Sequence, residues 1–291
     1  MSSDDGWNPV PVVAVASGGM ATSERSEALF TVLDDGRLRA NDLARGPWDP
    51  DALHGGPVAA LAARALEQAL ADPGFTGRPA RFVLELERPF GFDPVTVTAE
   101  VTRPGRSVRS AAAEVHDDRG RRLARATLLS IRTTDLDVTG AVRPDDEPPP
   151  PRPAHADPPS PWAAGGGRAF HRDAVEHAFV EGGFEALGPA VDWIRLVVPV
   201  VVGEDPSPLQ RVVAAADFGN GISAAVTHAE HLFINPDLVV SLERLPVGID
   251  VGLAAATRVD RGGIGLAEAV LWDEHGRIGH SSQTLLVQRR T

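Results

Sequence analysis

The sequence predicts an α+β chain made of two copies of one unit, each an antiparallel sheet wrapped around one long helix. Three observations predict it. Segments of the second half repeat segments of the first at a spacing of 156 residues. Each half places one alanine-rich helical stretch ahead of four strand-like runs. A proline- and glycine-rich segment lies close to the midpoint of the 291 residues.

Residues 1–25 are small and polar without a sustained period and read as an N-terminal arm, with a short strand at Val10–Val15. The first unit spans 26–136. Its helix is Pro57–Ala71, where Val58, Leu61, Ala62, Ala65, Leu66 and Ala69 recur at helical spacing and Pro57 suits a first turn. Strand-like runs follow at Val83–Pro89, Val95–Val101, Ser107–Val115 and Thr127–Leu129, broken by turns at Arg103–Arg106 and Asp117–Gly120. Residues 137–167 read as a linker, stiff through Pro148–Pro151 and flexible through Gly165–Gly167.

The second unit spans 168–291. His171 and His177 alternate with apolar residues as in a strand. The helix is Pro208–Ala216, continuing towards Ser223, and the later strands are Val239–Leu245, Asp250–Thr257, Gly265–Trp272 and the run around Thr284–Leu286. Val83–Arg88 maps onto Val239–Arg244, Asp117 onto Asp273 and Gly120 onto Gly276. One residue later, Thr127–Leu129 maps onto Thr284–Leu286, which sets Ala126 opposite Gln283. An apolar helix followed by a meander of amphipathic strands buries most surface when the sheet curls around the helix. That arrangement is the hot-dog fold, and two in tandem make a double hot dog.

Composition excludes several chemistries. Without cysteine there are no disulfides, iron–sulfur clusters, thiolate zinc sites or cysteine nucleophiles. The absence of lysine and tyrosine removes Schiff bases, the P-loop lysine and a tyrosine acid. A net charge of −12 argues against nucleic acid, which needs a basic face. Apolar runs such as Leu196–Val202 are too short for a membrane span, and the acidic start Met1–Asp5 is unlike a secretory signal, so a cytoplasmic location is expected. No Walker A, dinucleotide-binding, His-Glu-x-x-His or nucleophile-elbow motif occurs, so no metal or redox cofactor is expected.

Three places remain for chemistry. His54-Gly55-Gly56-Pro57 opens the first helix, where paired glycines permit close approach and free N–H groups suit a developing oxyanion. Asp217 follows Ala214–Ala216, small residues that allow close contact with the sheet and bring a carboxylate near the buried side of the helix, where it needs partners. Gln283 is an amide where the other copy has an apolar residue, the loss of symmetry expected of a single site in a duplicated chain. The other histidines carry less. His228 and His231, flanking Glu230, read as a solvated turn sooner than a metal site, and His116, His275 and His280 fall at or near turns.

With Gly46-Pro47-Trp48-Asp49-Pro50 ahead of His54–Pro57, then Asp217–Ser223, Asn235–Leu238, Gly265–Glu268 and Gln283–Leu286, the chain resembles the acyl-CoA thioesterase family of double hot dogs. It is similar to the bacterial thioesterase II group and, within it, to actinobacterial thioesterase-like members. The likeness covers about residues 25–135 and 168–290.

The resemblance implies a water held by a catalytic Asp, a Ser or Thr and a Gln, attacking a thioester carbonyl. Asp and Gln carry over to Asp217 and Gln283, while Asn235 stands at or near the hydroxyl position. Hydrolysis of an acyl-CoA or related thioester is the expected reaction, with His54, Gly55 and Gly56 lining the oxyanion and substrate site. The resemblance also implies further pairing into a homo-oligomer. Two alternatives stay open: a non-catalytic acyl-thioester binding or pathway accessory protein, and an enoyl-CoA hydratase using Asp49 and His54, which have that chemistry's five-residue spacing.

Overall fold

The structure is a computed structural model that describes residues 28–137, 139, 148–160 and 166–290; the strand expected at Val10–Val15 lies outside them. The first unit contains β1 (Phe30–Val32), β2 (Leu38–Ala40), α1 (Gly55–Leu70), β3 (Gly77–Leu86), β4 (Thr96–Pro104), β5 (Val108–His116) and β6 (Arg122–Arg132). The second contains β7 (Val175–Glu181), β8 (Ala190–Leu196), α2 (Pro208–Ala216), α3 (Gly219–Ile222), β9 (His231–Ile234), β10 (Asp237–Leu242), β11 (Asp250–Val259), β12 (Ile264–Asp273) and β13 (Gly276–Arg289). His171 lies in a π-helical turn, Phe170–Ala174, ahead of the strand that carries His177.

The two units share one antiparallel sheet of order β4-β5-β6-β3-β10-β13-β12-β11-β8-β7, with β9 pairing β13 beside β10. The seam is β3 against β10, and its centre is informative. Val83 and Val239, repeat equivalents, are direct Cα partners, flanked by Phe82 with Val240 and Leu84 with Leu238. Swapping the copies maps each flanking pair onto the other, so a pseudo-twofold axis passes through the two valines. Phe82, Leu84, Leu238 and Val240 are buried on the helix-facing side, as the strand period of two requires.

Two details depart from a perfect repeat. β7 and β8 extend the sheet through β11, whereas β1 and β2 form a separate ladder, and β1 reaches over to the second unit (Leu29 N to Pro199 O, 2.9 Å; Phe30 N to Val200 O, 2.9 Å). The turns after β5 and β12 also differ by one residue. Asp117 N–H closes on Arg121 O, whereas Asp273 pairs directly with Gly276.

The ladder shows the consequence: Val83 faces Thr127 but Val239 faces Ser282. By register Gln283 therefore matches Leu128, not Ala126, and Leu285 matches Ser130, not Leu128. A slip of two residues keeps the face, so an amide still replaces a buried apolar side chain.

Residues 148–160 are not a free tether. Pro150 O accepts from Trp193 Nε1 (3.0 Å), Asp157 N donates to His177 O (2.7 Å), and the Asp157 carboxylate accepts from Phe179 N (2.7 Å). The segment thus covers the exposed edge at β7.

The seam generates a test. Leu84→Ala and Leu238→Ala should each lower unfolding free energy by about 2–5 kcal/mol. Because the residues face each other, denaturant titration of the double variant should show a loss that differs from the sum of the singles by at least about 0.5 kcal/mol. Strict additivity would contradict the pairing.

Candidate active site

The helices lie against one another so that the start of α1 meets the end of α2. Small residues make this possible, and they serve helix–helix contact sooner than the helix–sheet contact expected from the alanines. A Cβ on Gly56 would stand 2.9 Å from Ala214 O and 2.8 Å from Phe170 Cε1. A Cβ on Gly55 would stand 2.7 and 2.8 Å from the two Asp217 carboxylate oxygens. Both distances are closer than real Cβ contacts come, so both positions need glycine.

Asp217 sits where α2 gives way to α3, and only 4% of it is exposed. Three side chains converge on its carboxylate. Asn235 Nδ2 donates to Oδ1 at 2.9 Å, Gln283 Nε2 donates to Oδ1 at 3.2 Å, and His54 Nδ1 lies 2.8 Å from Oδ2. Gln283 Nε2 also reaches the Asp217 carbonyl (3.2 Å), left without a helical partner by the break, while its Oε1 accepts from Asn220 N (3.0 Å).

Pro236 explains why Asn235 can reach this point. Between β9 and β10 the run Asn235-Pro236 leaves the ladder opposite β13, and Asp237 fills the gap by accepting from Thr284 N (2.6 Å) and Oγ1 (3.2 Å).

His54 occupies the N-cap position of α1, and its Nδ1 is also 3.0 Å from Gly56 N. One nitrogen cannot accept from Gly56 and donate to Asp217 at once. A lone pair against a carboxylate oxygen at 2.8 Å would be repulsive, so a proton lies between His54 and Asp217. With both amides donating to the carboxylate, an Nδ1–H on His54 completes its ring of donors and leaves Nε2 the acceptor on the opposite edge of the imidazole.

The site opens onto a cavity of about 590 Å³ drawn from both units. Trp48, Leu53, Val58, Phe90 and Phe184 give it a largely apolar wall, and His54, Gly55, Asp217 and Asn235 lie on that wall. Gln283 does not line it; the amide stands behind Asp217 and is spent on holding it.

The structure thus brings Asp217, Asn235, Gln283, His54, Gly55 and Gly56 together, in direct contact and not across a shared water. The Gly56 N–H points at the His54 ring, which leaves Gly55 as the glycine on the cavity. Asp49 also lines the cavity, its Oδ1 accepting from Asp51 N at 2.9 Å, while the carboxylate in contact with His54 is that of Asp217.

Sequence reasoning missed His228. It is half-buried, with its ring 4.8 Å from Trp48 and 4.6 Å from Phe233 on the cavity wall. Burial, and secondarily Arg290, push its pKa down from the usual 6.5 to about 4. Phe233 five residues on was the available signal. No group of three or more metal-ligating side chains occurs among the described residues.

Pseudo-symmetry locates the matching junction. Counted from the helix caps His54 and Ser207, Arg64 stands where Asp217 stands. There Arg64 grips Glu204 through Nε and Nη2, both at 2.5 Å, and Glu67 accepts from Ser207 Oγ (2.7 Å) and Gln210 Nε2 (3.1 Å). The carboxylate of one copy is an ion-paired cation in the other.

Models of the acyl-CoA thioesterase N-terminal and C-terminal domains match residues 44–131 and 144–287 respectively. The chain belongs to the acyl-CoA thioesterase family. It is accordingly a thioester hydrolase by family.

The hot-dog fold recurs in solved structures. A protein of that fold from Alicyclobacillus acidocaldarius is 16% identical with a TM-score of 0.65, over 89% of this chain and 96% of that one. An acyl-CoA thioesterase II, TesB2, from Mycobacterium marinum is 14% identical with a TM-score of 0.62, over 90% and 96%. No curated protein sequence matches the chain significantly. Among the described residues no helix is long and apolar enough to cross a membrane.

Two outcomes follow for this thioesterase-family site. Gly55→Ala should displace the Asp217 carboxylate and lower thiol release far more than it lowers thermal stability, checked by activity and melting temperature on the same preparation. His228 holds fewer protons folded than unfolded between pH about 4 and 6.5, so its contribution to stability is lost as pH falls through that window. His228→Gln should flatten the fall in melting temperature between pH 7 and pH 4.5; an unchanged slope would contradict the assignment.

Proposed function

We propose that the chain hydrolyses an acyl-CoA or related acyl thioester at the junction of α1 and α2, with the acyl chain in the 590 Å³ cavity. The observation that carries this reading is the Asp217 carboxylate, on the wall of an apolar cavity and held by Asn235, Gln283 and His54. The proton of the attacking water passes to the Asp217–His54 pair, His54 Nε2 accepting it while Asp217 stabilises the ring.

Asn235 orients Asp217 from the cavity side, and Gln283 is a positioning residue that acts through it. The Gly55 amide, at the positive end of α1, faces the oxyanion that forms as the water adds to the carbonyl. Collapse of the adduct breaks the carbon–sulfur bond, and the thiolate leaves and takes a proton. The steps need no redox change.

Thiol release from a series of acyl-CoA chain lengths tests the proposal. Asp217→Asn and His54→Ala should each lower turnover by about 10²–10⁴-fold. The double variant should be no worse than the poorer single, because the two act as one unit. Gln283→Ala should lose less. Unchanged release in Asp217→Asn would end the proposal, and no release from the wild type would favour a binding protein.

A further inference from the structure

Arg88 and Arg244 are repeat equivalents, as are Asp117 and Asp273, each pair 156 residues apart. In the second unit they form a structural bracket. Arg244 Nη1 and Nη2 lie 2.5 and 2.6 Å from the Asp273 carboxylate, and Nη2 also donates to Gly276 O at 3.0 Å.

In the first unit the bracket is broken. Asp117 is taken by Arg121, four residues on within its own turn, through Nε and Nη2 at 2.7 Å each. The neighbouring Glu87 is taken by Arg122 (2.8 and 2.7 Å). Among the described residues the Arg88 guanidinium has no hydrogen bond, ion pair or ring contact, and Arg88, an exposed residue, is the one arginine among those lining the cavity.

The place of Arg88 is fixed from the reacting end. Asn235 holds Asp217, Pro236 O accepts from Leu86 N at 2.7 Å, and Arg88 lies two residues past Leu86, at most about 7 Å along the backbone. A guanidinium without a protein partner, on an exposed residue that lines an apolar cavity, offers a planar fork of donors, the geometry that carboxylates and phosphates accept in pairs.

We propose that Arg88 is the anion-recognition residue of this cavity, binding a negatively charged group of the thioester. That group is either a phosphate of the thiol carrier or a carboxylate at the far end of the acyl chain. The inference rests on the reading that the cavity holds a thioester, and it adds the charge of the substrate.

Four thioesters separate the sources: butyryl and glutaryl groups, each on CoA and on phosphate-free N-acetylcysteamine. Arg88→Gln should raise KM about ten- to a hundredfold for the substrates carrying the recognised anion and leave butyryl-N-acetylcysteamine unchanged. A loss that follows CoA identifies the phosphate, and a loss that follows glutaryl on either carrier identifies the carboxylate. Arg88→Lys should recover part of it. Arg244→Gln should lower the melting temperature without altering substrate preference.

Equal effects of Arg88→Gln on all four thioesters, or none, overturn the inference. Calorimetric binding of CoA and of glutaryl-N-acetylcysteamine keeps the two proposals apart. Arg88-dependent binding without hydrolysis sinks the proposed reaction alone, and hydrolysis without Arg88 dependence sinks this inference alone. Neither binding nor hydrolysis sinks both.

Discussion

The pairing of β3 with β10 about Val83 and Val239 dictates most of what lies above it. A near-twofold relation at the seam lays α1 and α2 antiparallel on the same side of one sheet, so the start of each helix faces the end of the other. Two clusters of charged side chains sit at those junctions. At one, His54 and Gly55 meet Asp217; at the other, Ser207 and Glu204 meet Glu67 and Arg64.

The electrostatics of the junctions follow from helix polarity. A carboxylate at the end of α2 is in the wrong place for its own helix, whose terminal carbonyls already concentrate negative charge. Asp217 is tolerated because the N-terminus of α1, the two amide donors and the His54 ring surround it from outside that helix. Glu204 and Glu67, near the start of α2, sit at the favourable end, and Arg64 neutralises Glu204 directly. One junction thereby pairs Arg64 with Glu204 while burial pushes the Glu67 carboxyl up, and the other holds a carboxylate that depends on its neighbours and faces a cavity.

The fold was legible because its signals were repeated: a helix over Pro57–Ala71, strands at offset positions and the equivalence of Val83–Arg88 with Val239–Arg244 are local patterns counted twice. Gln283 was legible as an exception to that repetition, and Asp217 from the three alanines that precede it. What the sequence concealed depended on distances across the chain. That Gly56 N–H is turned to His54 and not to the cavity follows from a ring placed by α2, and that Gln283 stands behind Asp217 follows from a strand register. The register itself was misjudged by two residues, since a one-residue difference between two surface turns cannot be told from a gap elsewhere when the flanking strands are rich in alanine, leucine and threonine. Likewise His228 looked solvated because nothing near it in sequence reveals Trp48 against its ring.

Arg64 and Asp217 occupy matching stations with opposite charge. In an assembly of two identical chains any side chain placed at one station is placed at both, and a cation and an anion could not be chosen separately. Joining the copies in one reading frame removes that obligation. Each half can then change without the change being echoed: the Asp217 junction faces the cavity, while the Arg64 junction holds an ion pair. The covalent connection therefore lets a single gene encode what an enzyme built from separate identical chains cannot, a partner whose duty is to complete the other's site and not to duplicate it.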